Sequence, residues 1–194
     1  MKREEFAKRL FLKMTPREEK KVAAAYRISK KGHEGQFRDT GERYFEHPRR
    51  VALVLIDDLE IFDYEMIITA LLHDIVEDTF FLTFDDIEAL FGVRVRKMTE
   101  ALTKYSTREN IATFEIIKEK GCCYLDDLQA ADETTQIVKL ADRLDNLRTL
   151  EGCSQQKKDK IIREMEEVYV PMAKKMENQH FYNQFIGLIA YLKK

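Results

Sequence analysis

Apolar residues recur every three or four positions along most of the chain, which is the pattern of amphipathic helices. Alternating patterns are almost absent, and residues 51–56, although rich in β-branched and aliphatic residues, fit a helix better in their context. The pattern therefore predicts an all-α protein. A helix capped by Asp63 is predicted to carry His73 and Asp74. The other predicted helices cover residues 4–13, 15–31, 47–59, 83–92, 93–104, 108–120, 133–150, 155–168 and 181–192.

Residues 66–72 are apolar on nearly every side of their helix, so this segment is predicted to be buried. Polar side chains follow directly at its end. Glu77 comes four residues after His73, and Asp78 comes four residues after Asp74, so each pair shares a helix face. Ionised groups at the edge of a buried helix are costly unless they are paired or bound to a metal. The pattern indicates a metal site.

A second polar stripe lies on the predicted helix 133–150. Asp142, Asn146 and Thr149 fall on one face, and leucines occupy the opposite face. Taken alone, this stripe is typical of a solvated surface helix. The pair His73-Asp74 needs further ligands from other elements, however, and Asp142 is a natural one. His47 is a second imidazole candidate, although it also fits a helix start before Pro48.

Two imidazoles and two carboxylates suit a divalent ion such as Mn²⁺, Fe²⁺ or Zn²⁺. Such an ion lowers the pKa of its water and neutralises the charge that develops on a phosphate. Glu77 and Asp78, one turn beyond the candidate ligands, are placed to orient or deprotonate that water.

Composition limits the class of protein. The chain has 194 residues, 7 Gly and 3 Pro, which predicts one globular domain over residues 1–194. A net charge of -2 argues against a general nucleic-acid binder, and no apolar run approaches the roughly 18 residues of a membrane span. Three cysteines, two of them adjacent, argue against a disulfide framework and for a cytoplasmic location. The sequence is compatible with a homo-oligomer.

An ordered series of motifs over residues 20–152 resembles the HD-domain phosphohydrolases, which fold as a helical bundle. The series is closer still to the hydrolase domain of the RelA/SpoT alarmone enzymes and to the stand-alone small alarmone hydrolases. Residues 153–194 would then add C-terminal helices and are too few for a synthetase. The motifs that carry the resemblance are His33-Glu34-Gly35-Gln36, Gly41-Glu42, Tyr44, His47-Pro48, His73-Asp74-Ile75-Val76-Glu77-Asp78 and Lys139-Leu140-Ala141-Asp142-Arg143-Leu144-Asp145-Asn146-Leu147-Arg148-Thr149.

The resemblance implies a Mn²⁺-dependent hydrolase, without a synthetase, that removes pyrophosphate from the ribose 3′ position of (p)ppGpp to give GDP or GTP. Glu77 and Asp78 would activate and position the attacking water. Lys104 and Arg148 are further candidates for phosphate contacts. The implied ligands of one ion are His47, His73, Asp74 and Asp142. The residues implied to bind the nucleotide are Arg38, which would stack on the base, with Asn146 and Thr149.

The chain departs from the family pattern at three positions. Asp39 stands where a basic or small residue is common, and it would repel a polyphosphate if it pointed inward. Arg43 replaces a usual proline and is placed to offset Asp39. Asp145 replaces a common histidine; it is expected at the edge of the polar stripe, with at most a small effect.

Two alternatives stay open. Asp39 keeps the first, which is the same metal chemistry on another nucleotide such as ppApp or NADPH. The second is a non-catalytic nucleotide-binding regulator or an antitoxin-like partner, against which the intact pair Glu77 and Asp78 counts.

Overall fold

The computed structural model describes residues 3–79, 81–103 and 123–194. Regular structure in these ranges is helical, apart from one β-bridge between Phe37 and Arg43. The predicted all-α class is therefore confirmed. The α-helices are α1 (Arg3–Leu10), α2 (Pro16–Gly32), α3 (Glu46–Leu53), α4 (Tyr64–Leu72), α5 (Ile75–Asp78), α6 (Phe84–Phe91), α7 (Val93–Leu102), α8 (Cys123–Ala130), α9 (Glu133–Arg148), α10 (Gln155–Glu164), α11 (Val170–Lys175) and α12 (Gln179–Leu192).

Helix starts predicted from capping residues lie where the sequence places them. The Thr15 hydroxyl accepts a hydrogen bond from the Glu18 amide, and the Glu18 carboxylate accepts one from the Thr15 amide. Thr83 and Asp86 form the same reciprocal pair at α6. Asp63 accepts from two amides of the first turn of α4. These caps fix where α2, α4 and α6 begin.

The centre of the bundle is α4, and all seven residues from Met66 to Leu72 are buried, as predicted. This helix packs against α2, α3, α7 and α9. Because α3 also packs on α9, each of the three helices α3, α4 and α9 contacts the other two. This packing brings together side chains that are far apart in sequence.

Two predicted helices are interrupted by π-helical turns. The predicted helix 47–59 is α3 followed by a π turn at Val54–Asp58, and the predicted helix 155–168 is α10 followed by a π turn at Met165–Tyr169. The second turn precedes Pro171, which lies in the first turn of α11. Proline has no N–H to donate to the preceding turn, which accounts for a change of helical hydrogen bonding there.

Helix α8 was not predicted from the sequence. Its Tyr124 and Leu128 are buried one turn apart. That spacing of two apolar residues was the available signal. The predicted helix 108–120 and Lys104 lie outside the described residues. None of the helices described is long and apolar enough to cross a membrane.

Candidate metal centre and cleft

The junction between α4 and α5 carries His73 and Asp74. The Nδ1 of His73 lies 2.8 Å from the Ala70 carbonyl oxygen, and the Asp78 amide donates to the Asp74 carbonyl at 2.9 Å. The backbone of Asp74, at φ -97 and ψ -4, leaves ideal helical geometry without reversing direction. Asp74 and Asp78 therefore stay on one side, as their spacing predicts. The Tyr44 hydroxyl oxygen lies 2.8 Å from Asp74 Oδ2 and 2.5 Å from Asp78 Oδ2, so its single proton is shared between the two carboxylates.

Four nitrogen and oxygen atoms from three elements converge beside this junction. The Oδ2 atom of Asp74 lies 3.2 Å from Nε2 of His73 and 3.6 Å from Nε2 of His47. The Oδ1 atom of Asp142, on α9, lies 3.2 Å from Nε2 of His47 and 3.8 Å from Nε2 of His73. Ligand atoms bound at about 2.1 Å to one ion lie about 3.0–3.4 Å apart. Ligand atoms of His47, His73 and Asp74 all lie within 4.8 Å of one another, so these three residues could hold one ion. Asp142 borders this group through the 3.2 Å approach of its Oδ1 atom to His47.

Both imidazoles present the nitrogen that a metal needs. The Nδ1 atom of His47 lies 2.7 Å from Asp145 Oδ2, and Nδ1 of His73 faces the Ala70 carbonyl, so Nδ1 carries the proton in each ring. Each Nε2 then points at the centre, and metal binding requires this nitrogen to be free of a proton. The Nε2 atom of His73 is buried and has no hydrogen-bond partner among the residues that the structure describes. A divalent ion would satisfy that atom, so this donor set fits a metal.

Buried charges reinforce this centre. Burial alone would lower the pKa of His73, but the carboxylates of Asp74 and Asp142 outweigh it and raise the pKa to about 9. Burial opposes ionisation of Asp142, yet the cations of Lys139 and Arg143 hold its pKa well below the usual range. Asp142 is thus kept ionised, which is the state a metal ligand requires.

A cleft of about 230 Å³ opens over the centre and is lined by Glu77 and Asp78 as well as by the ligand candidates His47, Asp74 and Asp142. Burial and the neighbouring charge of Asp74 raise the pKa of Asp78. The Tyr44 ring stacks on the buried His33, with ring centroids 4.7 Å apart, which fixes the hydroxyl between the two carboxylates. A carboxylate with a raised pKa is a stronger base, so this wall of the cleft suits proton transfer from water.

The cleft is also lined by two of the three predicted nucleotide-binding residues. Arg38 Nη2 donates to Asn146 Oδ1 at 2.6 Å, and Asn146 Nδ2 donates to Asp142 Oδ1 at 2.7 Å. Thr149 does not line the cleft; its hydroxyl donates to the Asp145 carbonyl oxygen at 2.9 Å. Arg38 and Asn146 are brought to the metal centre, and Thr149 is not.

The model of the HD domain family matches residues 25–177 of the chain. The chain belongs to the HD-domain family. The matched residues include the pair His73-Asp74, which is part of the ordered series of histidine and aspartate motifs.

Curated relatives include enzymes of guanosine alarmones. The bifunctional (p)ppGpp synthase/hydrolase SpoT of Escherichia coli K12 is 34% identical over 165 residues, which cover 83% of this chain and 22% of the relative. A guanosine-3′,5′-bis(diphosphate) 3′-pyrophosphohydrolase of Aquifex aeolicus is 38% identical over 163 residues, with coverages of 83% and 22%. The chain thus spans about a fifth of the length of the curated relatives it matches.

A solved structure gives a comparison over nearly its whole length. It is described as a metazoan ortholog of SpoT that hydrolyzes ppGpp, and it is 25% identical with a TM-score of 0.74. The match covers 88% of this chain and 94% of that one. The HD-domain bundle found here is therefore close in size to that protein.

Three further residues of this HD domain lie at the centre and were missed as contributors. Lys139 Nζ lies 2.9 Å from Asp142 Oδ2, and Arg143 Nε lies 3.5 Å from the same oxygen. The spacing of Lys139 three residues before Asp142 on one helix was an available signal. Asp145 was expected at the edge of the polar stripe, but its side chain is buried beside the candidate centre. Asp145 is 1% exposed and contacts the ligand candidate His47 directly.

The other departures from the family pattern point away from the cleft. Asp39 pairs with Lys157 of α10 at 2.6 Å and does not line the cleft. Arg43 pairs with Glu46 at 3.0 Å and therefore does not offset Asp39, contrary to the prediction. Arg148, a predicted phosphate contact, pairs with Asp58 at 2.8 Å.

Proposed function

We propose that this chain hydrolyses the 3′-pyrophosphate of (p)ppGpp, giving GDP or GTP and pyrophosphate. The observation that carries the proposal is one cleft in which the candidate metal ligands His47, Asp74 and Asp142 lie beside Glu77 and Asp78. The fourth candidate, His73, borders the same centre through its Nε2 atom, 3.2 Å from Asp74 Oδ2. The named activities of the relatives from Escherichia coli and Aquifex aeolicus support it. So does the structural neighbour that hydrolyzes ppGpp, because 94% of that chain is covered.

The proposed metal is one Mn²⁺ ion, or another divalent ion of similar preference, because two imidazoles and two carboxylates suit such ions. When bound, it would supply charge neutralisation at the pyrophosphate and a lowered pKa of water. Lys139 and Arg143 hold Asp142 ionised through their contacts with its Oδ2 atom. The proposed ligands are His47, His73, Asp74 and Asp142.

In the proposed reaction, a water oxygen attacks the phosphorus that is bonded to the ribose 3′ oxygen. Glu77 and Asp78 orient this water and accept its proton as the new P–O bond forms. The bond from phosphorus to the 3′ oxygen breaks, and the 3′ oxygen leaves as a hydroxyl after taking a proton. The Tyr44 hydroxyl lies within hydrogen-bond distance of both Asp74 and Asp78, and its shared proton reduces the repulsion between the two carboxylates.

Nucleotide binding is assigned to Arg38 and Asn146, which line the same cleft as Glu77. A planar guanidinium suits both stacking on a base and pairing with phosphate oxygens. Thr149 stays a prediction for this role. That residues 1–194 form one HD hydrolase domain is likewise part of the proposal.

The deciding experiment is turnover by the purified chain with Mn²⁺ on separate samples of ppGpp, pppGpp, ppApp and NADPH, with products resolved by anion exchange. GDP and intact pyrophosphate from ppGpp are expected. His73→Ala and Asp74→Ala should lose metal binding and activity together. If only ppApp or NADPH were cleaved, that nucleotide would take the place of (p)ppGpp as the proposed substrate. Metal binding without turnover of any of them would leave a nucleotide-binding regulator.

A further inference from the structure

We propose that Asp145 is a positioning residue that holds the metal ligand His47 and the nucleotide-facing hairpin in one arrangement. The hairpin is residues 36–44, closed by hydrogen bonds from the Tyr44 amide to the Gln36 carbonyl at 2.9 Å and from the Arg38 amide to the Glu42 carbonyl at 2.8 Å. The inference rests on the proposed function in that a metal and a nucleotide share this cleft.

The first contact of Asp145 is with the metal ligand. Its Oδ2 atom lies 2.7 Å from Nδ1 of His47, and both side chains are buried. A carboxylate that accepts the Nδ1 proton fixes the tautomer and the ring orientation, and it makes Nε2 a stronger ligand. A neutral residue at position 145 would supply less of this effect. Asp145 therefore supports the metal without touching it.

The remaining contacts of Asp145 reach both strands of the hairpin. Arg50 donates from Nε to Asp145 Oδ1 at 2.6 Å, and it donates from Nη1 to Glu42 Oε1 at 2.7 Å. Arg38 Nη1 lies 3.5 Å from Asp145 Oδ2. One strand is thus tied directly through Arg38, and the other is tied through Arg50. A single carboxylate sets the position of the hairpin relative to His47.

Burial makes this arrangement specific. A buried carboxylate is tolerated when it is paired and its oxygens are hydrogen-bonded, and His47, Arg50 and Arg38 together provide those partners. These partners also hold the pKa of Asp145 below its usual value against the effect of burial, led by the hydrogen bond from His47. Loss of the negative charge would therefore loosen the ligand and the hairpin together.

The metal half is tested by titrating the metal-free chain with Mn²⁺ in a calorimeter. Asp145→Asn keeps the shape of the side chain and removes its charge, and it should weaken Mn²⁺ binding about 10- to 100-fold. The matched control is Asp159→Asn on the exposed side of α10, which should bind Mn²⁺ as the wild type does. Wild-type affinity in Asp145→Asn would overturn the proposal.

The hairpin half is tested by the dissociation constant for GDP at saturating Mn²⁺. Asp145→Asn should weaken GDP binding several-fold even when the metal site is full. Glu42→Gln, at the more exposed end of the relay, should weaken GDP binding and leave the Mn²⁺ affinity unchanged. Unchanged GDP binding in both variants would overturn this half.

Neither titration needs turnover, so a failure of the proposed function is recorded separately by the turnover experiment. If Asp145→Asn does not fold, the protonation of His47 is measured instead in the wild-type chain loaded with diamagnetic Zn²⁺. Imidazole nitrogen spectra should then show His47 protonated at Nδ1, with that proton hydrogen-bonded. A proton on Nε2 of His47 would contradict the role of Asp145.

Discussion

The two oxygens of Asp142 have different partners, and this division explains how a buried acid remains useful. Oδ1 faces His47 and accepts from Asn146, while Oδ2 pairs with Lys139. Because Lys139 is itself buried, each charge compensates the other, and removing either one would leave an uncompensated buried ion. The pair keeps the Oδ1 side of Asp142 negative and directed at the centre.

Glu77 is the residue whose substitution separates metal binding from chemistry. Glu77→Gln should leave Mn²⁺ affinity near the wild-type value and lower kcat about 10²- to 10⁴-fold, because only the proton acceptor is lost. Steady-state rates at saturating Mn²⁺ and calorimetric titration provide the measurement. Glu167→Gln, at an exposed position between α10 and α11, is the matched control and should keep the wild-type rate. Full activity in Glu77→Gln would show that another group accepts the proton.

Contacts within one helix could be predicted from the sequence, whereas contacts between helices could not. The spacing of four residues correctly placed Asp74 with Asp78 and Asp142 with Asn146, because helix geometry alone decides such pairs. The pairing of Asp145 with His47 joins residues 98 positions apart. It depends on how α3 packs against α9, which periodicity does not specify.

At the scale of whole elements, the helix starts were predictable because each depends on a local capping group, as at Thr15 and Thr83. The π turn at Val54–Asp58 and the break between α4 and α5 could not be predicted in this way. These irregularities depend on the fit of each helix to its neighbours, and a helical pattern continues through them.

Gly92, between α6 and α7, has φ 106 and ψ 165, a backbone conformation open almost only to glycine. Gly92→Ala should lower the free energy of unfolding by about 1–3 kcal/mol. A Cβ at this position would meet no other atom within 4 Å, so the cost is one of backbone strain. Equilibrium urea denaturation measures it.

The matched control is the same substitution at Gly187, an exposed position inside α12 where a Cβ also meets no atom within 4 Å. Gly187→Ala should raise the free energy of unfolding by about 0.5–1 kcal/mol, because alanine favours the helix. Effects of the same sign at both positions would contradict the explanation by backbone conformation.

At the scale of the whole molecule, the proposed ion would join three helices that pack against one another. These are α3, the end of α4, and α9. Binding to the folded state alone should stabilise the chain by about 2.7 kcal/mol when Mn²⁺ is at 100 times its Kd. For a chain of this size, the expected rise in Tm is about 5–10 °C. Thermal melts with Mn²⁺ and with a chelator measure the difference.

Asp74→Asn should melt at one temperature with and without Mn²⁺, because a carboxylate ligand is lost. Asp159→Asn should keep the full shift. A shift of equal size in Asp74→Asn would mean that Mn²⁺ binds elsewhere on the molecule.

The hydrogen bond from Arg38 to Asn146 competes with the hydrogen bonds that a nucleotide would make to these two side chains. A nucleotide that recruits these two side chains must first exchange this bond, so its affinity is lower by the net worth of one such bond, on the order of 1 kcal/mol. The same bond re-forms as the product departs, which favours emptying of the cleft. We therefore expect the resting contact to trade tight retention of the nucleoside diphosphate for rapid release between catalytic cycles.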